Sequence, residues 1–261
     1  MKLGLIGCGN LGESFLKGLL EIDEIKADKI IASDLDNERR ERVEALGVKS
    51  TQKNKEVPKQ TDVIFLAVKP GKVPAVLKEL DLDDEKLLIS LAAGISLQTL
   101  EKNTDARIIR VMPNICGSVS EMAAAFTPGS NSTPKDVEML KRILNGMGTA
   151  VEVEEEKMDT VTGLSGSGPA YIFSIIKSLV EAGKSEGLDE SHALTLSIQT
   201  VKGSAELAKR SELSLKELMD MVCSPNGTTI EGMKVLEEYK INEALNEAVK
   251  AARKRSKELS K

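Results

Sequence analysis

Tryptophan is missing from this 261-residue chain, tyrosine occurs twice, and aromatic residues make up only 2% of it. A surface on which single-stranded nucleic acid stacks its bases needs several rings, so that class of function is excluded. Histidine is almost absent as well: His192 is the only one, and early in a helical stretch it reads as a surface or dimer-contact residue. Three cysteines, Cys8, Cys116 and Cys223, stand far apart with no C-x-x-C pair. Neither a zinc site nor a disulfide framework follows from them, no metal is expected, and buried small residues are the expectation for all three. No apolar run approaches the ~18 residues that a membrane span needs. Positive charge is not in excess either: a net charge of −5 gives no general attraction to nucleic acid or to an acidic membrane. Because the chain opens directly into a strand pattern, without a basic and apolar leader, a cytoplasmic protein is expected.

What is present is globular, 41% hydrophobic and 30% charged, and long enough for one large domain or two ordinary ones. The most informative stretch runs from Lys2 to Gly12, an apolar run that breaks into glycines and resumes with helical spacing. It reads as strand, tight turn, helix. Gly7, Gly9 and Gly12 have the G-x-G-x-x-G spacing: the first permits the turn, the second lets a pyrophosphate approach the backbone, and the third lets helix and strand pack closely. An ordinary strand-to-helix turn is the alternative. The helix that follows carries Leu11, Phe15, Leu19 and Ile22 on one face.

A second strand, Lys29 to Ser33, ends at Ser33-Asp34. Asp34 lies 22 residues past Gly12, where a Rossmann fold places the acid that accepts ribose hydroxyls. A carboxylate there repels a 2′-phosphate and leans the cofactor toward NADH over NADPH, although Asp34 could instead cap the next helix. Arg39 and Arg40, early in that helix, read either as phosphate ligands or as solvated charges.

Further strands are expected at Val63–Val68, Leu87–Leu91 and Arg107–Val111, with a helix from Gly71 to Leu80. The first is a continuous apolar run of the buried parallel type, stopped by Lys69-Pro70. Ala92-Ala93-Gly94 follows the second strand and leaves room for a flat ring. Met122–Thr127, a helix from Pro134 to about Gly146 and Thr149–Val153 complete the half. Strand alternating with helix predicts an α/β fold, a Rossmann-like doubly wound parallel sheet, over residues 1–156. The acidic run Glu154-Glu155-Glu156 reads as a solvated linker.

Residues 157–261 read as helices only: Tyr171–Glu186, Glu190–Lys209, Leu215–Val222, Thr229–Glu238 and Ile241–Leu259, the last ending in a solvated Lys/Arg-rich tail. Helices so long and apolar rarely bury all their faces within one such half, which predicts an all-helical dimerisation domain. Two loops punctuate it. Gly163 to Tyr171 sets a helix start. Cys223 to Thr229 would point the amides of Asn226, Gly227, Thr228 and Thr229 out of a helix N-terminus beside two hydroxyls, which is either a carboxylate trap or a plain capping turn.

These motifs together resemble the pyrroline-5-carboxylate reductase family over nearly the full length. The resemblance rests on Gly7-Cys-Gly-Asn-Leu-Gly12, Asn54-Lys55-Glu56, Phe65-Leu-Ala-Val-Lys-Pro70, Ala92-Ala93-Gly94, Arg110-Val-Met-Pro-Asn114 and the two later loops. It implies hydride transfer from NADH or NADPH to the C=N bond of 1-pyrroline-5-carboxylate, giving proline in the last step of its biosynthesis. It also implies cofactor contacts at Ile6, Gly7, Cys8, Gly9, Asn10, Leu11, Gly12, Ser33, Asp34, Asn54, Ala67, Val68, Lys69, Pro70, Ala92, Ala93, Gly94 and Asn114. Substrate contacts are implied at Glu212, Ser224, Asn226, Gly227, Thr228 and Thr229, with Thr229 near the imine nitrogen, and a homodimer or a larger ring of dimers as the assembly. Three positions depart from the family pattern. Asn226 replaces a glycine, which Asn can follow because it tolerates left-handed backbone angles. Ile115-Cys116 stands in place of Thr-Pro, and Met221 where some relatives have a polar substrate contact.

Reducing a cyclic imine needs one hydride on carbon and one proton on nitrogen, so the absence of a nucleophile or metal motif is consistent with that chemistry. Two other readings share parts of the pattern. A β-hydroxyacid dehydrogenase would use a lysine base, for which Lys177 is available without the usual motif around it. A non-catalytic dinucleotide sensor has no reason to keep the Ser224–Thr229 loop.

Overall fold

The structure is a computed structural model that describes residues 1–259. It forms two compact units: Met1–Pro169 together with the C-terminal stretch from Val249, and Ala170–Ala248. The division differs from the expected one after residue 156. Asp159 and Ser256 are hydrogen-bonded at 2.6 Å, so the start of the helical half and the end of the last helix both join the first unit.

The first unit is an eight-stranded sheet in the order β3-β2-β1-β4-β5-β6-β7-β8. Its strands are β1 (Leu3–Ile6), β2 (Ile30–Ser33), β3 (Lys49–Thr51), β4 (Val63–Leu66), β5 (Leu87–Ser90), β6 (Arg107–Met112), β7 (Met122–Pro128) and β8 (Gly148–Glu152). Six run parallel. β7 is antiparallel to β6, and β8 is parallel to β7, so the expected all-parallel sheet gains a reversed edge. The reason is length: the segment between Met112 and Met122 is too short for the crossover that a parallel neighbour needs. β3 escaped the sequence reading because its residues, Lys-Ser-Thr, carry no apolar run.

Helices cover both faces. Along β4, Val63 and Phe65 enter one cluster with Phe15, Leu16 and Leu19 of α1 (Asn10–Leu20). Ile64 and Leu66 enter the other with Val73, Leu77 and Leu80 of α3 (Val73–Leu80). A strand buried on both sides must be apolar throughout, which is why this run does not alternate. α2 (Asn37–Glu44), α4 (Leu97–Glu101) and α5 (Pro134–Gly146) complete the layers. Sheet order reverses between β1 and β4, and the register sets Ser33, Ile6 and Leu66 level at the strand ends, opening a crevice there.

After α6 (Met158–Val161) the expected loop at Gly163 is instead a π-turn, Thr162–Gly166, leading into α7 (Gly168–Ser185). Its glycines and serines read as a loop in sequence. Hydroxyls sustain the helix there: Thr162 Oγ1 donates to Met158 O at 3.0 Å and Ser167 Oγ to Thr162 O at 2.9 Å. The second unit contains α8 (Glu190–Arg210), α9 (Leu215–Val222) and α10 (Thr228–Glu238), and α11 (Ile241–Leu259) begins in it. Among the described residues, no helix is long and apolar enough to cross a membrane.

Candidate active site

The glycine turn closes as its spacing predicts. Gly7 has φ +97°, and a Cβ there would lie 2.7 Å from the Ala67 carbonyl. A Cβ on Gly12 would collide with the Gly7 carbonyl. These two glycines serve packing, between Ile6 in the core and Ala67, whose N–H donates to Ile6 O at 2.8 Å. Gly9 is different, since the nearest atom to its Cβ position is Arg39 Nη1 at 3.8 Å. It is the N-cap of α1 and no side chain caps that helix end. Free amides of a helix start beside an open glycine suit a pyrophosphate, so the residues fit a dinucleotide. Cys8 between the glycines is buried, and burial, reinforced by Asp34, pushes its thiol up to about 12. Asn10 is exposed and Leu11 half-buried on α1.

Asp34 does not cap α2; Asp36 does, accepting from the N–H of Glu38 at 2.9 Å and Arg39 at 3.3 Å. The Asp34 carboxylate instead takes the Cys8 N–H on Oδ2 at 2.8 Å and the Asp36 N–H on Oδ1 at 2.9 Å. It therefore ties the end of β2 to the glycine turn. Neither arginine is an idle surface charge. Arg40 donates to the carbonyls of Asp34 and Leu35, at 2.9 and 3.1 Å, whereas Arg39 leans over the turn with Nη1 3.6 Å from Asp34 Oδ2. Ser33 donates through Oγ to Asn54 Oδ1 at 2.9 Å, and Asn54 Nδ2 to Glu79 at 3.1 Å, so these two buried side chains lock β2 to the following segment.

Along the crevice, Ala67 and Val68 are half-buried, Lys69 exposed and Pro70 half-buried. Ala92 and Gly94 are buried, with Ala93 between them half-buried. Asn114 is 8% exposed. Its Oδ1 accepts from the Cys116 N–H at 3.1 Å, a bond that a proline at 116 could not donate, and its Nδ2 donates to Ser165 O at 3.1 Å. Ile115 is exposed beside it, and its carbonyl accepts from Ser14 Oγ of α1 at 2.7 Å.

In the second unit, Asn226 has φ +59°. The left-handed conformation expected for an Asn in a glycine's place is present. Gly227 caps α10 without a side-chain bond. A Cβ on Gly227 would lie 2.5 Å from Ser224 Oγ, and its N–H already donates to Ser224 O at 2.9 Å. Of the expected amides, that of Gly227 is therefore taken, and the helix start brings in Ile230. The first-turn N–H groups that have no partner within the helix are those of Thr228, Thr229 and Ile230. Glu212 is exposed in the turn between α8 and α9, Met221 and His192 are exposed, and so is Lys177 on α7.

Glu155 is what the sequence reading missed. Glu154 and Glu156 are exposed as a solvated run should be, but Glu155 turns inward to Arg110 at 2.6 Å. The only sequence signal was its counter-charge, an arginine inside an apolar strand.

An open glycine cradle at a strand-order reversal, followed by a helical half, defines a nicotinamide-dinucleotide-dependent oxidoreductase. Over its full length the chain is 43% identical to pyrroline-5-carboxylate reductase of Methanosarcina acetivorans, covering 98% of that protein, and it is 38% identical to that of Arabidopsis thaliana, over 99% and 95% of the two chains. It belongs to the pyrroline-5-carboxylate reductase family. Residues 155–259 match the model for pyrroline-5-carboxylate reductase dimerisation, and residues 2–94 that for NADP oxidoreductase, coenzyme F420-dependent. The structure of Plasmodium falciparum pyrroline carboxylate reductase with NADP bound is similar at a TM-score of 0.92 and 31% identity, over 100% of this chain and 98% of that one.

Proposed function

We propose that this chain reduces 1-pyrroline-5-carboxylate to L-proline. The observation that carries the reading is the uncapped start of α10, held open by Asn226 in the left-handed region, in a chain that also carries an open dinucleotide cradle. A reduced nicotinamide held there would supply the hydride. Ile6–Gly12, Ala67–Pro70 and Ala92–Gly94 hold the dinucleotide, while Ser33, Asp34, Asn54 and Asn114 keep those turns in shape. The amides of Thr228 and Thr229, with the Ser224 hydroxyl, bind the substrate carboxylate. The Thr229 hydroxyl donates to the ring nitrogen, and the proton that completes the amine comes from it or from solvent. Glu212 places negative charge near the iminium.

Either dinucleotide is accepted, with NADH favoured by less than about tenfold, because Asp34 opposes a 2′-phosphate and Arg39 offsets much of that charge. The enzyme works as a homodimer through its helical half. It acts in the cytoplasm, a reading supported by three thiols that are all free.

The test is NADH or NADPH oxidation on adding pyrroline-5-carboxylate, for the native protein and for Thr229→Ala. Turnover with the native protein and a loss of about a hundredfold in the variant, with dinucleotide binding intact, are expected. No turnover with either cofactor would sink the reading, and an unimpaired variant would remove Thr229 from it.

A further inference from the structure

The strand that ends near Asn114 carries a buried arginine paired with a half-buried glutamate, Glu155, for which the reductase reading has no use. Alternate residues of a strand share one side of the sheet, and on one side of β6 three successive positions each meet a different part of the segment 155–166. Arg110, 4% exposed, bonds Glu155 Oε1 through Nη1 at 2.6 Å, and that oxygen also accepts the Leu97 N–H at 3.0 Å. Met112 clusters with Ala125 and Met158, and a Cβ on Gly166 would lie 2.5 Å from its Cε. Two residues past the strand, Asn114 holds the Ser165 carbonyl.

The pair is monodentate: Arg110 Nη2 and Glu155 Oε2 are both buried without a hydrogen-bond partner. A largely buried ion pair with an orphaned atom on each side contributes little to stability, because desolvation consumes most of what the attraction returns. What it supplies is geometry, since a charge-assisted bond admits one placement of the segment where apolar contact alone tolerates several. That placement bears on the crevice. Arg110 is level with Ser90, and Ser90 with Leu66, the strand ends that lead into Ala92–Gly94 and Ala67–Pro70.

We propose that Arg110 is a positioning residue for hydride transfer, acting through Glu155 to hold the π-turn Thr162–Gly166 at the C-terminal end of β6. The proposal rests on the reductase reading for its activity readout. It predicts that kcat falls by more than dinucleotide affinity, because only Ala67–Pro70 and Ala92–Gly94 lie near the pair, whereas the glycine turn that holds the pyrophosphate lies three strands away at β1.

The test uses the full-length double variant Arg110→Met/Glu155→Met, which exchanges the pair for apolar side chains of similar length, and Arg110→Lys as a milder change should the double variant not fold. Thermal unfolding, NADH affinity by fluorescence, kcat with pyrroline-5-carboxylate and amide exchange over 158–168 are measured. The expected result is a folded protein with a somewhat lowered melting temperature, because the Leu97 N–H loses its acceptor. NADH affinity changes by less than kcat, kcat falls by about tenfold or more, and faster exchange is confined to the π-turn. Native kcat overturns the proposal, as does a loss of NADH affinity equal to the loss of kcat or a general loss of protection, either of which marks a merely structural pair. Should the native protein itself fail to reduce the imine, the functional reading falls. The exchange and affinity measurements then decide alone, and unchanged exchange in the π-turn overturns the proposal.

Discussion

Side by side, the glycines of the turn do opposite jobs, and substitution separates them. Gly12→Ala drives a methyl into the Gly7 carbonyl and should destabilise the protein by several kcal/mol, read as a lowered urea midpoint. Gly9→Ala meets nothing closer than 3.8 Å. It should leave the midpoint unchanged while weakening NADH binding by about tenfold, since the methyl stands where a phosphate approaches. Equal effects in the two variants would mean that Gly9 is not on the ligand side. Cys8 gives a pH prediction. Its folded value of about 12 lies above the ordinary 9.0, so the unfolded chain releases that proton first, and the contribution present below pH 9 is lost as pH rises toward 12. In Cys8→Ala the fall in stability across that window should be shallower than in the native protein; identical slopes would argue against a neutral buried thiol.

At the scale of elements, the end of a helix decides more than its length. α10 starts without a side-chain cap, and the turn before it depends on one left-handed residue. Asn226→Gly should keep substrate KM within about twofold, because glycine enters that region freely. Asn226→Ala pays about 1–2 kcal/mol for a left-handed backbone and should raise KM by roughly tenfold, at unchanged dinucleotide affinity. Similar KM values in the two variants would show that backbone angle is not what the position selects. Asn226 was legible because only a few residues tolerate such angles. Asp34 and Asp36 were not separable, since which carboxylate caps α2 depends on where the strand ends to within one residue. The π-turn was hidden because glycine and serine signal a loop unless their hydroxyls return to helix carbonyls, as those of Thr162 and Ser167 do.

On the scale of the whole molecule, the second unit leaves apolar surface uncovered. α7 buries Val180 alone, and α8 only Ala193 and Ser197. Phe173, Leu196, Leu207 and Leu215 are 60%, 57%, 52% and 69% exposed, more apolar surface than a solitary chain ordinarily shows to water. The proposed homodimer would cover this surface with a second copy and so account for the composition of these helices. Leu196→Glu/Phe173→Glu should shift the protein to monomer in light scattering and lower its concentration-dependent melting temperature. A dimer of native mass in that variant would place the interface elsewhere.

The sequence by itself determined the strand-turn-helix start, the alternation of strands and helices, the glycine spacing and the helical second half, because each is local: periodicity, backbone angle and the reach of a few residues decide them. Its resemblance to a reductase family was legible for the same reason, since the motifs are short and contiguous. Only the tertiary structure decided that β7 runs against β6, that Asp34 serves the glycine turn, and that Glu155 leaves its acidic run to meet Arg110. Those outcomes depend on partners distant in the chain: β7 pairs with residues 13 to 19 positions before it, Asp34 meets the Cys8 N–H 26 residues away, and Glu155 meets Arg110 45 residues away. No local pattern encodes that choice; it is made when the chain packs and distant polar groups and strand edges compete for partners.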